Sequence, residues 1–338
     1  MKKIFLLLIS IFLLTGCGKV DKEKIVKEFI DSVESSKSYI ANSNMEIYNG
    51  EDTFVYDIKV MYMDDDYYRV DMLNTLSNHK QVILRNKEEV YVITPSLNKS
   101  YKFVSDWPYN SSQSYLLNSL VNDIKNEENV IFTKEEKGYS LKVGVKYPNN
   151  PNLSYEMLYF DDDLNLNTVA VYDTDGIVSI KVVFNKIDYK ANLSLDDFDV
   201  NNFVKENIDS SDNEDTKETE ETSSLEDVIY PLYVPANTYL KGKELVNTEN
   251  GERIILTFNG EKNFVLIEET SVAKEEFEII PVYGDPLMLS NTVGALSTNS
   301  LSWTSDNVDY YLASNDLSTS EILSIADSLN VVNIVQEK

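Results

Sequence analysis

Cysteine and histidine, two side chains that often act as nucleophile or general base, occur once each in this 338-residue chain. Nucleophilic and acid–base catalysis depend on such groups. His79 could join a serine and an aspartate in a hydrolytic triad, but it lies in LSNHKQ, a polar stretch typical of a solvated turn. The usual zinc sites need several Cys or His ligands. We therefore expect a protein without catalytic residues, metal site or cofactor.

Three acidic stretches have the residue types of a calcium site. Residues 64–66 and 161–163 are three consecutive aspartates each, and 173–176 reads Asp-Thr-Asp-Gly. None is followed by a glutamate at the spacing that closes a calcium-binding loop. Hairpin turns of an acidic protein have the same composition, so turns are the preferred interpretation and calcium binding is the alternative.

Cys17 lies at the end of a segment that is built like an export signal. Lys2 and Lys3 precede an apolar run over residues 4–14, which is too short to span a bilayer and has the length of a signal-peptide core. Residues 14–17, Leu-Thr-Gly-Cys, resemble the lipobox of bacterial lipoproteins. This resemblance implies that residues 1–16 are cleaved off and that Cys17 carries a diacylglyceryl group. The alternatives are an ordinary secretory signal and a free buried thiol.

The charge of the chain limits its partners. Loss of residues 1–16 removes two lysines and no acidic residue, which changes the formal net charge from −27 to −29. Such a surface repels nucleic acid and anionic lipid headgroups. Attachment to a membrane must therefore come from the lipid on Cys17, and two acyl chains suffice for stable anchoring. We expect an extracytoplasmic protein that is anchored to the outer face of the cell membrane.

The hydrophobic periodicity predicts an α+β protein with two domains. A helical pattern over 21–36 is followed by long stretches of period-two alternation and by a second helical patch at 114–126. One antiparallel sheet with two helices accounts for residues 21–203. The acidic, apolar-poor segment 204–226 predicts a flexible linker. Residues 227–338 predict a smaller α+β domain that closes with a helix, whose start is a capping box of Ser318 and Glu321.

Two stretches of the first domain resemble the LolA/LolB lipoprotein-localisation superfamily. They are DDDYYRVDML at 64–73 and VILRNKEEVYVITPSLNKSYKF at 82–103. Arg69 and Pro95 match the arginine and the proline of the family pattern, whereas Asn86-Lys87 replaces a family Asp-Gly turn. The resemblance implies an open, curved β half-barrel with helices across its mouth. It also implies that Arg69 is a gate residue bonded to the covering segment, within about 107–126; a rim arginine paired with an acid on the sheet is the alternative.

Large, soft side chains along the strands predict a hydrophobic groove on the concave face of this sheet. Such side chains suit acyl chains or an apolar protein segment, and the alternative is that they are ordinary core residues. The predicted groove residues are Met61, Met63, Tyr68, Met72, Tyr91, Tyr101, Trp107, Tyr155, Met157 and Tyr159.

The resemblance and the anchor together predict a binding protein. A chain with its own lipid anchor cannot diffuse between membranes as a carrier, so we expect a tethered, non-catalytic protein that binds a hydrophobic ligand or an envelope protein. Germination lipoproteins of the GerS kind and two-domain regulators of the RseB/MucB kind are further resemblances. The first implies an alternative function, an accessory subunit of a cell-wall hydrolase in sporulation or germination. A filled groove favours that alternative, and an open apolar groove favours ligand binding.

The lipobox interpretation is tested by Cys17→Ala. Because the thiol is the acceptor of the lipid, this change should abolish metabolic labelling with a fatty acid and leave the precursor uncleaved or release the protein. Membrane fractionation and labelling of wild type and variant make the comparison. Normal processing and retention of the variant at the membrane would contradict the interpretation.

Overall fold

A computed structural model describes residues 20–201 and 228–329, apart from residues 51, 88, 249, 250 and 275. The predicted signal peptide, Cys17 and the predicted linker over 204–226 lie outside these residues. None of the helices within the described residues is long and apolar enough to span a bilayer.

The described residues form three α-helices and nineteen strands. The helices are α1 Lys22–Glu34, α2 Leu117–Asn126 and α3 Thr319–Ser328. The first eleven strands are β1 Ser38–Asn49, β2 Asp52–Met63, β3 Tyr67–Asn74, β4 Lys80–Asn86, β5 Glu89–Thr94, β6 Lys99–Phe103, β7 Ile131–Lys134, β8 Tyr139–Gly144, β9 Leu153–Phe160, β10 Leu166–Asp173 and β11 Val178–Asp188. The others are β12 Thr238–Thr248, β13 Gly251–Gly260, β14 Phe264–Thr270, β15 Glu278–Val282, β16 Gly284–Met288, β17 Val293–Ser297, β18 Ser300–Ser305 and β19 Val308–Ala313. Short 3₁₀ turns follow β5 and β11, at Pro95–Leu97 and Leu195–Phe198.

The first sheet contains twelve strands in the order β15-β6-β5-β4-β3-β2-β1-β11-β10-β9-β8-β7. It is open and curved. Strict alternation along β1, where every second residue from Tyr39 to Ile47 is buried, gives the sheet one face toward the main core. Side chains of successive strand residues point to opposite faces, so the alternate residues lie on the convex face.

Helices α1 and α2 cover the concave face of this sheet. The Asp21 side chain accepts a hydrogen bond from the Lys24 backbone N–H at 3.0 Å and so caps α1, a contact that typically stabilises a helix by about 1 kcal/mol. Ile25, Phe29 and Val33 recur every four residues and are buried. Helix α2 likewise buries an apolar side, and both helices contribute to a single core with the inward strand residues.

The second sheet contains seven strands in the order β12-β13-β14-β19-β18-β17-β16 and packs against α3 around a core of its own. The Ser318 hydroxyl accepts from the Glu321 N–H, and the Glu321 carboxylate accepts from the Ser318 N–H. This is the predicted capping box. Ile322, Ile325 and Leu329 are buried, as the helical spacing indicated.

The two halves of the chain are joined by strand pairing and by buried side-chain hydrogen bonds. Strand β15, which follows the second half's β14, pairs in parallel with β6 at the edge of the first sheet. The buried Gln81 side chain of β4 also bonds to the backbone of the second half, as the backbone of a neighbouring strand would. Its amide donates to the Val293 carbonyl at 3.1 Å, and its oxygen accepts from the Val293 N–H at 2.7 Å and from the Thr292 hydroxyl at 3.0 Å.

We call the β15–β6 pairing and the Gln81 bonds together the joint between the two halves, and the joint bears on the predicted domain organisation. The α+β class is confirmed: eleven antiparallel strands and two covering helices come before residue 203, β15 adds a parallel edge strand to their sheet, and a smaller sheet with a helix comes after residue 227. Residues beyond 227 also belong to the first sheet and to the main core: β15 joins the sheet, and Val293 and Ala295 of β17 are buried in the core. The domain bounds stay a prediction. Pairing between β15 and β6 joins residues more than 170 positions apart, and local patterns carry no signal for it.

The joint predicts that the two halves remain associated after the chain is cut. A protease site inserted into 204–226 and cleaved should give two fragments that coelute in gel filtration. Gln81→Leu should lower the urea concentration at which they separate, because it leaves the Val293 backbone groups unpaired at a typical cost of about 1–3 kcal/mol. Fragments that separate without denaturant would show that the joint is not stable.

Candidate functional site

A cavity of about 480 Å³ lies where the two halves meet, and we call it the interdomain cavity. Its walls come from the ends of β1, β9 and β11, from the segments around Trp107 and Tyr147, from β16 and from α3. Pro148 and Asn152 on its rim are exposed. This volume is within the range of roughly 300–1,000 Å³ that is usual for small-ligand sites.

Apolar side chains from both halves face each other across the interdomain cavity. Ile47 and Ile180 are cross-strand partners on β1 and β11 of the first sheet. Leu287 of β16 and Leu323 of α3 belong to the second core. Trp107, which is 2% exposed, completes the apolar lining. The cavity exists only because the halves are docked.

Asp285 is held by hydrogen bonds that cross the joint, whereas Asp327 is held by a bond within the second half. Asp285 Oδ1 accepts from the Asn110 side-chain amide at 2.8 Å and from the Ser105 hydroxyl. Asp327 Oδ1 accepts from the Ser290 N–H at 2.9 Å, and the Ser290 carbonyl accepts from the Tyr56 hydroxyl at 2.9 Å.

The charged residues among the described lining of the interdomain cavity are all acidic. Asp173, Asp285 and Asp327 line it, and none of the described lining residues is Lys, Arg or His. Burial raises the pKa of Asp327 to about 6, and the bonds from Ser290 oppose this rise. At neutral pH these carboxylates make the cavity negative.

The predicted groove on the concave face is filled by the protein itself. Four of the ten predicted residues, Tyr68, Met72, Tyr101 and Trp107, lie on the concave side, and all four are buried in the main core. The side chains that cover them come from α1, α2 and the segment before α2 and include Phe29, Tyr115, Leu116, Leu120 and Val121. Trp107 alone of the four also lines the interdomain cavity.

The other six predicted residues lie on the convex side, which corrects the prediction of one groove. Met61 and Tyr91 are buried there in a separate small cluster around Phe198, and Met63 packs against that cluster. On β9, Glu156, Leu158 and Phe160 point inward, so Tyr155, Met157 and Tyr159 are half-buried on the outside. The physical reason is strand alternation: these residues occupy the opposite parity to the concave set.

Arg69 also lies on the convex side, as the cross-strand partner of Met61 and Leu84. Its guanidinium donates to Asp71 at 2.9 and 3.3 Å and to the Asp197 carbonyl at 3.3 Å. These partners lie on the sheet and at the turn after β11 rather than in the segment 107–126, and the gate role of Arg69 stays a prediction. These contacts correspond to the alternative, an arginine paired with an acid on the sheet.

Arg85 reaches the covering segment instead, and sequence reasoning missed it. It is the cross-strand partner of Tyr68 on the concave side, and its guanidinium donates to the carbonyls of Ser105 at 3.2 Å and Trp107 at 2.8 Å. It also lies 5.4 Å from the centre of the Tyr109 ring. The register between β3 and β4 decides its face, and the pattern of either strand alone does not contain that register.

The candidate catalytic and metal-binding residues form no such site within the described ranges. His79 Nε2 is buried without a hydrogen-bond partner among the described residues, and burial lowers the pKa of this side chain. Asp161 and Asp173 accept backbone N–H groups of their own turns, as hairpin aspartates do. In the described part of the chain, no three acidic, His or Cys residues are placed to hold a metal ion.

Beside the interdomain cavity lies a buried acidic pair that sequence reasoning also missed. Glu156 is fully buried, and neither carboxylate oxygen has a hydrogen-bond partner among the described residues. Glu156 is the cross-strand partner of Val171, and Val171 is the cross-strand partner of Ile180, which lines the cavity. Burial, and then the charge of Asp123 on α2, raise the pKa of Glu156 well above its usual range. Burial raises the pKa of Asp123 to about 6.

Glu156 should make the stability of the fold depend on pH. The unfolded chain releases this proton near the ordinary pKa of 4.5, whereas the folded chain holds it more tightly. Stability is therefore greatest below that pH and falls as the pH rises through the raised value. Urea unfolding at pH 5 and pH 8 should show this loss, and Glu156→Gln should reduce it. The exposed Glu136→Gln is the control and should keep the wild-type difference. An unchanged pH dependence in Glu156→Gln would contradict the assignment.

Solved structures that this chain is similar to include two protein complexes. One is the complex of MucA and MucB from Pseudomonas aeruginosa, at 12% identity and a TM-score of 0.33, covering 90% of this chain and 98% of the other. The other is the CwlD amidase from Clostridioides difficile in complex with the GerS lipoprotein, at 15% identity and a TM-score of 0.31, covering 52% of this chain and 100% of the other. The GerS and RseB/MucB resemblances that the sequence suggested recur among these structures.

Sequence comparison gives the family. The chain is 36% identical over 323 residues to the sporulation protein YdcC of Bacillus subtilis (strain 168), covering 95% of this chain and 94% of the relative. The family model described as sporulation protein YdcC-like matches residues 1–199. The chain therefore belongs to the family of YdcC-like sporulation proteins.

Proposed function

We propose that this chain is a non-catalytic, lipid-anchored sporulation protein that binds an envelope protein through the interdomain cavity. The lipobox at Cys17 supports an anchor on the outer face of the cell membrane. The family and the 36% identity to a sporulation protein support the process in which it acts. The single histidine and the single cysteine, which the lipobox would acylate, support a binding role rather than an enzymatic one.

The interdomain cavity is the observation that carries this proposal, and the filled concave face supports protein contact over the binding of acyl chains. A carrier of lipid acyl chains needs an apolar space, and here that space holds side chains from α1, α2 and the segment before α2. The interdomain cavity is an apolar recess that reaches the surface at Pro148 and Asn152. Its size suits a few side chains of a partner protein rather than the bulk of a lipid.

A second candidate partner surface lies outside the cavity, on the outer face of β8, β9 and β10. The rings of Tyr155 and Tyr172 stack at 4.8 Å, the Lys142 ammonium lies 3.4 Å from the centre of the Tyr155 ring, and Met157 and Tyr159 flank them. Tyrosine and methionine are enriched at protein interfaces. This surface supports the accessory-subunit function, in which the protein would contact a cell-wall hydrolase without using a cavity.

Site-specific photocrosslinking in sporulating cells tests the proposal and separates the two surfaces. A photoreactive residue at Asn152, on the cavity rim, should capture one protein, and Ile180→Trp, which enlarges a side chain that lines the cavity, should abolish that capture. The same photoreactive residue at Tyr159 reports on the outer surface, and one at exposed Glu136 is the control. Capture at Tyr159 that Ile180→Trp leaves unchanged, with none at Asn152, would favour the accessory-subunit function. Capture at neither position would overturn both.

A further inference from the structure

We propose that the interdomain cavity selects a partner segment in which apolar side chains flank a lysine or an arginine. This inference rests on the proposed function and adds the chemistry of the segment that the cavity accepts. The apolar walls, the single sign of charge and the bonding of the carboxylates carry it.

The apolar walls fix the first requirement. Ile47 and Ile180 on the first sheet face Leu287 and Leu323 of the second half, and Trp107 lies between the halves. Side chains that enter this space replace water against carbon atoms, which is favourable in proportion to the apolar area that is buried. The ligand must therefore present aliphatic or aromatic groups on two sides.

The carboxylates of the cavity favour a positively charged group in the partner segment. Asp173, Asp285 and Asp327 reach the cavity from β10, β16 and α3, and no cation is present among the described lining residues. Asp285 takes its two hydrogen bonds on Oδ1, and among the described residues no donor reaches its Oδ2. A positive group that enters finds carboxylates already held in place: Asp285 by bonds across the joint, Asp327 by the Ser290 N–H and Asp173 by the N–H groups of its own turn.

The net negative charge of the whole chain also favours a positively charged segment. A recess lined by one sign of charge and with low-dielectric walls concentrates the opposite charge, and the chain as a whole carries a formal net charge of −27. An acidic segment would meet unpaired like charges in a partly buried place, which is costly. A neutral segment would gain the apolar contacts without the ionic ones. The expected order of affinity is basic, then neutral, then acidic.

Three blocked nine-residue peptides test this order. They share apolar residues on both sides of a central position that is Lys, Gln or Glu, and they are titrated calorimetrically into residues 20–338, which contain every described element. The Lys peptide should bind roughly tenfold more tightly than the Gln peptide, and the Glu peptide more weakly still. Emission from Trp107 should change on binding, because this ring lines the cavity, whereas Trp303 is buried in the second core.

Isosteric variants test whether Asp285 and Asp327 cause the preference for the Lys peptide. Asp285→Asn with Asp327→Asn keeps acceptors for the Asn110 and Ser290 bonds but removes two charges, so the preference for Lys over Gln should fall toward one. Glu23→Gln with Asp31→Asn, which removes two charges from the exposed side of α1, is the matched control and should keep the preference. Equal binding of the three peptides, tightest binding of the Glu peptide, or no binding at all would overturn the inference.

The two proposals fail in distinguishable ways. A protein captured at Asn152 in cells, combined with no charge preference among the peptides, would overturn the inference and leave the proposed function standing. No capture in cells would overturn the proposed function whatever the peptides do.

Discussion

The pairing between the two halves of the chain is the interaction on which the rest of the structure depends. Strand β15 extends the first sheet beside β6, and the Gln81 side chain bonds to the Val293 backbone as a neighbouring strand would. Backbone groups buried without partners are costly, so these bonds hold the halves in one register rather than in a range of contacts. The interdomain cavity, with walls from both halves, exists because that register is fixed.

The concave side of the first sheet is filled by side chains of the protein itself. Curvature gives an apolar hollow, and α1, α2 and the segment through Trp107 fill it with a continuous core. Arg85 holds that segment through the carbonyls of Ser105 and Trp107. In the proposed function, a partner therefore binds at the interdomain cavity or on the outer surface of the sheet rather than on the concave face.

Buried acidic groups lie close to this joint, and they cost stability at neutral pH. Glu156 and Asp123 have raised pKa values because burial disfavours their charged forms. Asp327, on the cavity wall, has a pKa raised to about 6 for the same reason. Carboxylates that are costly in the free protein gain most when a positive group arrives, which links the electrostatics of the joint to the chemistry of its expected partner.

The sequence by itself determined the elements. The α+β class, the capped helix at Ser318, the helix beginning after Asp21 and the alternating strands follow from local periodicity and capping, which act over a few residues. The tertiary structure decided which face of each strand is covered and which distant segments pair. Alternation separates Arg69 from Tyr68 but does not say which of them faces the helices, and the register that places Arg85 beside Tyr68 is set by pairing between strands. The β15–β6 pairing and the interdomain cavity depend on contacts between residues far apart in the chain, for which no short stretch of sequence contains the energy or the signal.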